Sequence, residues 1–350
     1  MNTKTVYVLH KNGAKSHYIG LETLLKENNI NIKYREFSVI GMFFKSLFKL
    51  KLKTLYKQII NGLFLLNLLV SKNKKVVLGI APYDSKLTRL QLLFNGHHIY
   101  YHTSWICWDQ TFHPKRKKNS PKVFETWRHF LENQTAHIFS VSQKGKRELI
   151  KNYAIESSHI SVVNHAVDQK FAMNITPDRK RKSFIYLGRL IPVKGIEELL
   201  AVFSKFPDCS LTIIGKGKQQ QLVEDYAKKH TNINYQNYTN STQELAEVLS
   251  KHEYMVLNSK RTQHWEELFG LVIIESMSQG LIPIASSHTG PSEIITPETG
   301  YLFEEGKLEE IIKEISTTPA FDENKSQKAR ENSEAYLPQE IAKKWKKILA

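Results

Sequence analysis

Two glutamates, Glu267 and Glu275, bracket Gly270 and an apolar run in the stretch E-L-F-G-L-V-I-I-E. Residues 254–259, Y-M-V-L-N-S, read as a strand before it. Leu271 to Gln279 reads as an apolar helix stopped by Gly280, and Ile282 to Ala285 as the next strand. Gly270 therefore falls where a loop becomes a helix, and a glycine there lets a ligand approach the backbone closely. Amides at a helix start favour anions, and a carboxylate accepts hydrogen bonds from paired hydroxyls such as those of a ribose or hexose. Phosphate at the amides and hydroxyls at the acids suit a sugar nucleotide, with Glu275 as the ribose-binding acid. Alone, the two glutamates also fit the solvated face of an amphipathic helix; the Phe269-Gly270 pair and the residues upstream favour a site.

Those upstream residues are Gly188, Arg189, Lys194 and Gly195, in Y-L-G-R-L-I-P-V-K-G. A departing diphosphate gathers negative charge, and fixed cations stabilise it without a metal; arginine can grip phosphate oxygens with a bidentate fork. An Arg and a Lys near a strand end are otherwise a surface pair, and the framing glycines favour the phosphate role. Gly215-Lys216-Gly217 is only a G-x-G, without the third glycine and the acid about 20 residues on that a dinucleotide fold needs, which argues against NAD. It fits a nucleotide-contacting loop and a plain strand-to-helix turn equally well.

Together these motifs resemble the family-4 (group 1) retaining nucleotide-sugar glycosyltransferases of the GT-B fold. E-x-F-G-x-x-x-x-E is similar to their signature, residues 186–195 to their G-R-x-x-x-x-K-G stretch, residues 211–217 to the next strand and glycine turn, and Asn164-His165-Ala166-Val167-Asp168 to their N-G-V-D element, with His-Ala in place of glycine. The likeness is densest over residues 183–300. It implies that Arg189 and Lys194 hold the donor phosphates, and that Glu267 with the backbone of Phe269, Gly270 and Leu271 holds the transferred sugar. It also implies that Gly13, Gly188, Gly215 and Gly217 lie at the nucleotide sugar. His102, at the end of a strand, resembles the histidine that relatives extend toward the donor; a satisfied structural histidine is the plainer alternative. Asn12-Gly13-Ala14-Lys15 is less glycine-rich than the family's first loop, and Thr289-Gly290-Pro291-Ser292-Glu293 resembles a further donor-side loop.

Strand-like and helix-like segments alternate through both halves, which predicts α/β architecture with parallel sheets. The expected fold is GT-B: two Rossmann-like domains facing across a cleft, where such sheets bind ligands. We expect an acceptor domain over residues 1–173, a nucleotide-sugar donor domain over 174–337, and a terminal helix over 338–350 that crosses back to the first domain. A chain of 350 residues is long enough for two cores. Cys107 and Cys209 form no C-x-x-C, so neither zinc nor a disulfide framework is indicated, and a reducing cytoplasm fits. Met1 runs almost directly into a strand with no leader pattern, and the longest apolar run, residues 62–70, is too short to span a bilayer. No D-x-D metal motif, metal-ligand cluster or G-x-S-x-G elbow is present, so metal-independent chemistry with no cofactor is expected, the donor being UDP- or GDP-linked.

Net charge is +16. Residues 1–173 carry 27 Lys and Arg against 10 Asp and Glu, and residues 174–350 carry 23 against 24, so the whole excess is in the first half. Such asymmetry indicates an anionic partner. No acid occurs between Glu36 and Asp84, while lysines interleave with Phe43, Phe44, Leu47, Phe48 and Leu52, a pattern suited to a helix lying in a membrane interface. Lys115-Arg116-Lys117-Lys118 is either a solvated loop or part of an anion-facing surface. The expected function is transfer of a sugar to a cell-surface glycan or lipid-linked acceptor of lipopolysaccharide, O-antigen or capsule type, by a cytoplasmic protein peripheral to the inner face of the plasma membrane. The alternatives are a nucleotide-sugar epimerase, disfavoured by the few acids in the first half, and a basic nucleic-acid binder, disfavoured by the lack of a recognition motif; no nucleic-acid partner is expected.

Overall fold

The computed structural model describes residues 4–11, 15–48, 50–115, 120–172, 179–263 and 265–350. Gly13 and its loop, Lys49, Arg116 to Lys118 and Pro177 lie outside them. The chain divides into two compact units, residues 1–166 with 341–350, and residues 167–340.

In the first unit, β1 (Thr5–His10), β2 (Asn31–Glu36), β3 (Lys75–Gly79), β4 (His98–Thr103), β5 (Thr135–Ser140) and β6 (Ile160–Val162) form one sheet in the order β2-β1-β3-β4-β5-β6. Every pairing is parallel. Val76 to Gly79 are all buried, as strands covered by helices on both faces must be. The core gathers Leu9, Leu78, Tyr101, Trp108, Trp127 and Phe130, and Tyr83 meets Tyr153 hydroxyl to hydroxyl at 2.6 Å. Helices Val39–Phe48 and Leu52–Val70 form the long basic and apolar segment, with Leu50 between them at φ 49°. Trp345, from the end of the chain, packs within this unit at 4.4 Å from Phe139 and 5.2 Å from His102, ring to ring.

In the second unit, β7 (Ser183–Leu187), β8 (Ser210–Ile214), β9 (Ile233–Gln236), β10 (Tyr254–Leu257), β11 (Ile282–Ser286) and β12 (Tyr301–Phe303) pair in the order β12-β11-β10-β7-β8-β9, again all parallel. The winding reverses between β7 and β10, and in open α/β sheets the crevice at the carboxyl ends of such a pair is where ligands bind.

Several expectations need correction. The division falls at residues 166/167, not 173/174: Val167 N donates to Tyr336 O at 2.9 Å and Ser278 Oγ to Phe171 O at 3.0 Å, so residues 167–171 pack with the second unit. At the far end it falls at 340/341 instead of 337/338. β12 and the helix Leu87–Phe94 were not anticipated. Residues 289–294, expected as a loop, form a short helix; Pro291 lies in its first turn, where a missing amide costs nothing.

Candidate functional site

A cavity of ≈ 450 Å³ opens at the reversal point of the second sheet, within the ~300–1,000 Å³ of small-ligand sites. Gly188 and Arg189 enter it from the end of β7, Lys216 from the end of β8, Tyr238 and Asn240 from beyond β9, and Leu271 and Glu275 from the helix Leu271–Ser278. Gly270 precedes that helix at φ 90° and no side chain caps the helix start, so its first amides carry the partial positive charge that attracts anions. Any side chain at that φ would be strained.

Glu275 is half-buried at the cavity wall. Burial, with Asp168 as a second cause, pushes its carboxyl up to about 7. Arg189 and Lys216 are exposed, and among the described residues neither has an acidic partner. The cavity thus holds two uncommitted cations, a helix start and one carboxyl poised near neutrality.

Lys194 and Glu267 are paired with each other. Lys194 Nζ contacts Glu267 Oε2, both side chains being mostly buried, and the ammonium lies 4.9 Å from the Trp265 ring centre. Ser259 Oγ donates to the same carboxylate oxygen at 3.2 Å. Glu267 N donates to His288 Nδ1 at 2.9 Å, leaving His288 Nε2 to donate to Glu305 Oε1 at 2.9 Å. That pattern fixes the neutral imidazole with its proton on Nε2; burial lowers its pKa despite Glu305. Gly290 N donates to Glu267 O at 2.9 Å, so the Glu267 loop is held at its amide, carbonyl and carboxylate.

Gly188, Arg189, Leu271 and Glu275 therefore line the cavity, while Lys194 and Glu267, in the same unit, pair with each other and are not among its lining residues. Phe269 is buried, 6.1 Å ring to ring from Tyr336. Gly215 does not line the cavity: a Cβ there would lie 1.9 Å from Gly188 O, so close packing of the β7 and β8 turns requires this glycine with no ligand involved. Gly217 packs on Leu190 O in the same way. Lys216, Tyr238, Asn240 and His288 were missed; a basic or aromatic residue just past a strand's carboxyl end is the signal that points to the first two. Among the described residues no group of three or more His, Cys, Asp or Glu could hold a metal ion.

His102 belongs to the first unit. It ends β4 in a nest of aromatic rings, 5.1 Å from Tyr18 and 6.0 Å from His165. Burial, then the neighbouring His165, His17 and His10, hold its pKa well below the usual histidine value. Its Nε2 is buried without a hydrogen-bond partner among the described residues.

Residues 167–335 match the family described as glycosyl transferases group 1, nearly the whole second unit. The chain is 28% identical over 180 residues to an uncharacterized glycosyltransferase of Haemophilus influenzae, covering 49% of each chain. It is 26% identical over 226 residues to the O-antigen biosynthesis glycosyltransferase WbnH of Escherichia coli, covering 64% of this chain and 57% of that one. The chain thus spans about half the length of these relatives. The Anabaena protein Alr3699/HepE, solved in complex with UDP, superposes with a TM-score of 0.70 over 99% of both chains at 14% identity, a likeness of fold. The two parallel α/β units have the fold of the GT-B class, and residues 167–335, the bulk of the second unit, are similar to the glycosyl transferases group 1 family.

Proposed function

We propose that the chain is a retaining, metal-independent glycosyltransferase that moves a sugar from a UDP- or GDP-linked donor to a lipid-linked or cell-surface glycan acceptor. The observation that carries this is the cavity where Arg189, Lys216 and an uncapped helix start meet Glu275. Phosphates suit the cations and amides, and ribose hydroxyls suit the carboxylate once it ionises. Tyr238 offers a ring face for the base.

In the reaction, the bond from the anomeric carbon to the donor phosphate breaks with its electron pair leaving on the diphosphate. Arg189 and Lys216 neutralise that charge as it develops. The acceptor hydroxyl forms the new bond on the face the diphosphate leaves, and its proton passes to the departing phosphate oxygen. Glu267, locked by Lys194, Ser259 and His288, presents a rigid carboxylate and backbone to the sugar, while the buried neutral His102 is the first unit's candidate for sugar contact. An acceptor of O-antigen or lipopolysaccharide type accords with the WbnH likeness.

We further propose that the protein works as a peripheral protein on the inner, anionic face of the membrane. In the helix Leu52–Val70, Leu52, Tyr56, Ile59, Leu63, Leu66 and Val70 are all exposed, spaced by threes and fours and so on one face. Gln58 and Asn61 are buried on the other, where Gln58 Nε2 donates to Glu36 Oε2 at 2.9 Å and Asn61 Oδ1 accepts from Glu36 N at 3.2 Å. This helix shows its apolar stripe outward. Among the described residues no helix is long and apolar enough to cross a membrane.

The test is a panel of UDP- and GDP-sugars incubated with lipid-linked acceptors, with and without EDTA. The expected result is acceptor-dependent release of the nucleoside diphosphate, EDTA-resistant, with the donor's anomeric configuration kept in the product by NMR. An inverted product, or activity abolished by EDTA and restored by manganese, would overturn the mechanism; an isomerised free nucleotide sugar would indicate an epimerase.

A further inference from the structure

The first sheet has its own reversal point. Its order β2-β1-β3 reverses the winding between β1 and β3, so its ligand crevice also lies at the carboxyl ends of these strands. A cavity of ≈ 620 Å³ occupies that edge. Lys11 follows β1, residues 37–42 follow β2, and Lys86 and Arg89 follow β3. Its walls are apolar, with Phe37, Met42, Leu65, Leu90 and Leu93 among them, and among the described residues no carboxylate lines it.

The cations are not a random surface scatter. Lys86 Nζ donates to Ser38 Oγ at 2.8 Å and sits 5.6 Å from the Phe37 ring centre, so two wall residues steer the ammonium. Arg89 is exposed at the same cavity. The acids nearest in sequence do not line it: Glu36 accepts from Lys57 and Gln58, and Asp84 pairs with Lys115 at 3.5 Å while its Oδ1 accepts from Lys86 N at 3.0 Å. The field in the cavity is therefore positive above an apolar floor.

The cavity is also continuous with exposed apolar surface. Ile40 lines it and is 73% exposed, and Phe44, Leu47 and Phe48 carry that surface along the helix Val39–Phe48. A ligand with a charged head and a hydrocarbon tail matches this arrangement; a free sugar or a neutral lipid matches only half of it.

We propose that this cavity binds the phosphate or diphosphate head of a lipid-linked acceptor, with the head at Lys11, Lys86 and Arg89 and the first hydrocarbon units on Leu65, Leu90 and Leu93. Three cations in an apolar setting favour a multiply charged head, and the floor favours a chain over a bare anion. The proposal rests on the transferase reading for the ligand's role as acceptor, but its binding is measured without turnover.

The experiment titrates the full chain with farnesyl diphosphate, farnesol and inorganic diphosphate below micellar concentrations, and with UDP in parallel. Farnesyl diphosphate should bind at least tenfold more tightly than either half-ligand. Lys86→Gln with Arg89→Gln should weaken it tenfold or more, since each removes a charge-assisted contact, and leave UDP affinity unchanged. Arg89→Gln alone, at an exposed position, gives a smaller loss in a chain whose far-UV circular dichroism and melting match the parent. Equal binding of farnesol would show a plain apolar pocket, equal binding of inorganic diphosphate a free-anion site, and failure to bind farnesyl diphosphate no site; each overturns the proposal. If UDP binds and farnesyl diphosphate does not, the cavity assignment alone fails. Should farnesyl diphosphate bind as described while UDP and every sugar nucleotide do not, the cavity stands and the transferase reading fails.

Discussion

Lys194 and Glu267, distant in sequence, meet as an ion pair whose carboxylate oxygen also accepts from Ser259 Oγ. Removing one member leaves the other as an uncompensated, mostly buried charge, which costs about 3–5 kcal/mol when burial is complete. We expect Lys194→Ala and Glu267→Ala each to lower stability by about 2 kcal/mol or more, and the double variant to lose less than the sum. Urea titration of all four proteins measures the coupling. Additivity within about 0.5 kcal/mol would show that the pair does not hold the loop.

Arg189 and Lys216 face the cavity with no acidic partner among the described residues. Their removal should therefore leave stability within about 0.5 kcal/mol while lowering kcat/KM by ~10–150-fold each, the size of one lost charge-assisted contact. Because the charge they meet grows as the phosphate leaves, kcat should fall more than donor KM rises. Full turnover by a folded Arg189→Ala protein would remove it from the phosphate site.

Glu275 gives a prediction in which function and stability oppose each other. Its carboxyl is raised to about 7 by burial and by Asp168. A carboxyl raised in the folded state contributes stability that is full below its unfolded value near 4.5 and is lost as pH rises through about 7. The loss is about 3 kcal/mol at most. Glu275→Gln should flatten this slope and melt higher than the parent above pH 7 without ligand. The same change should weaken UDP binding, because an amide accepts hydroxyl protons less well than a carboxylate. Parent affinity for UDP should rise from pH 6 to pH 8 with proton release, measured by calorimetry in buffers of different ionisation enthalpy. A pH-independent affinity would place the ribose elsewhere.

Much of this site was legible in the sequence because its residues lie in short local motifs: Gly188 and Arg189 directly after an all-buried strand, Gly270 and Glu275 around a helix start. β7, β10 and β11 were legible for a related reason, being fully buried apolar runs with few competing readings. What was lost depends on strand order. Loops after β8 and β9 reach the cavity only because β8 lies beside β7 and β9 beside β8, so a basic or aromatic residue past a strand end marks Lys216 and Tyr238 only as two among several such loop residues, and Asn240 not at all. His288 and Glu267 are 21 residues apart and adjacent only after β11 is placed beside β10. Three residues at the sheet edge, Tyr301–Phe303, are too few for a periodic pattern. Gly215 shows the opposite failure: a motif resembling a ligand loop whose glycine is required by neighbouring backbone.

The histidines of the first unit predict acid sensitivity. His10, His17, His102 and His165 all have lowered pKa values, chiefly by burial, His165 to about 3. A histidine held neutral by the fold contributes stability that is full above about 6.5, where the unfolded chain is neutral too, and is lost as pH falls toward its folded value. For His165, held at about 3, the cost is about 2 kcal/mol between pH 6.5 and 5. Urea midpoints should drop over that range, and His102→Gln should reduce the slope. An unchanged slope in that variant would mean that His102 is already charged in the folded protein.

The outward apolar stripe of the helix Leu52–Val70 makes the membrane proposal testable by separating its two forces. Phe48 and Val70 are each 85% exposed, and Leu63 and Leu66 are each 61% exposed; exposed apolar side chains grouped on one face mark interaction surfaces. Lys51 and Lys53, at the start of the helix, are exposed beside it. Lys57 is unsuitable as a probe because it pairs with Glu36 at 2.6 Å. Each lysine near an anionic surface contributes about 1 kcal/mol, screened by salt. Co-sedimentation with liposomes should therefore require phosphatidylglycerol and weaken with added salt, and Lys51→Gln with Lys53→Gln should reduce it about tenfold or more. Leu63→Ser with Leu66→Ser should reduce it at every salt concentration, since the apolar contribution is not screened. If instead the stripe is covered by a second copy of the chain, the Ser variant will turn a dimer into a monomer in sedimentation and leave liposome binding as it was, and the docking proposal fails.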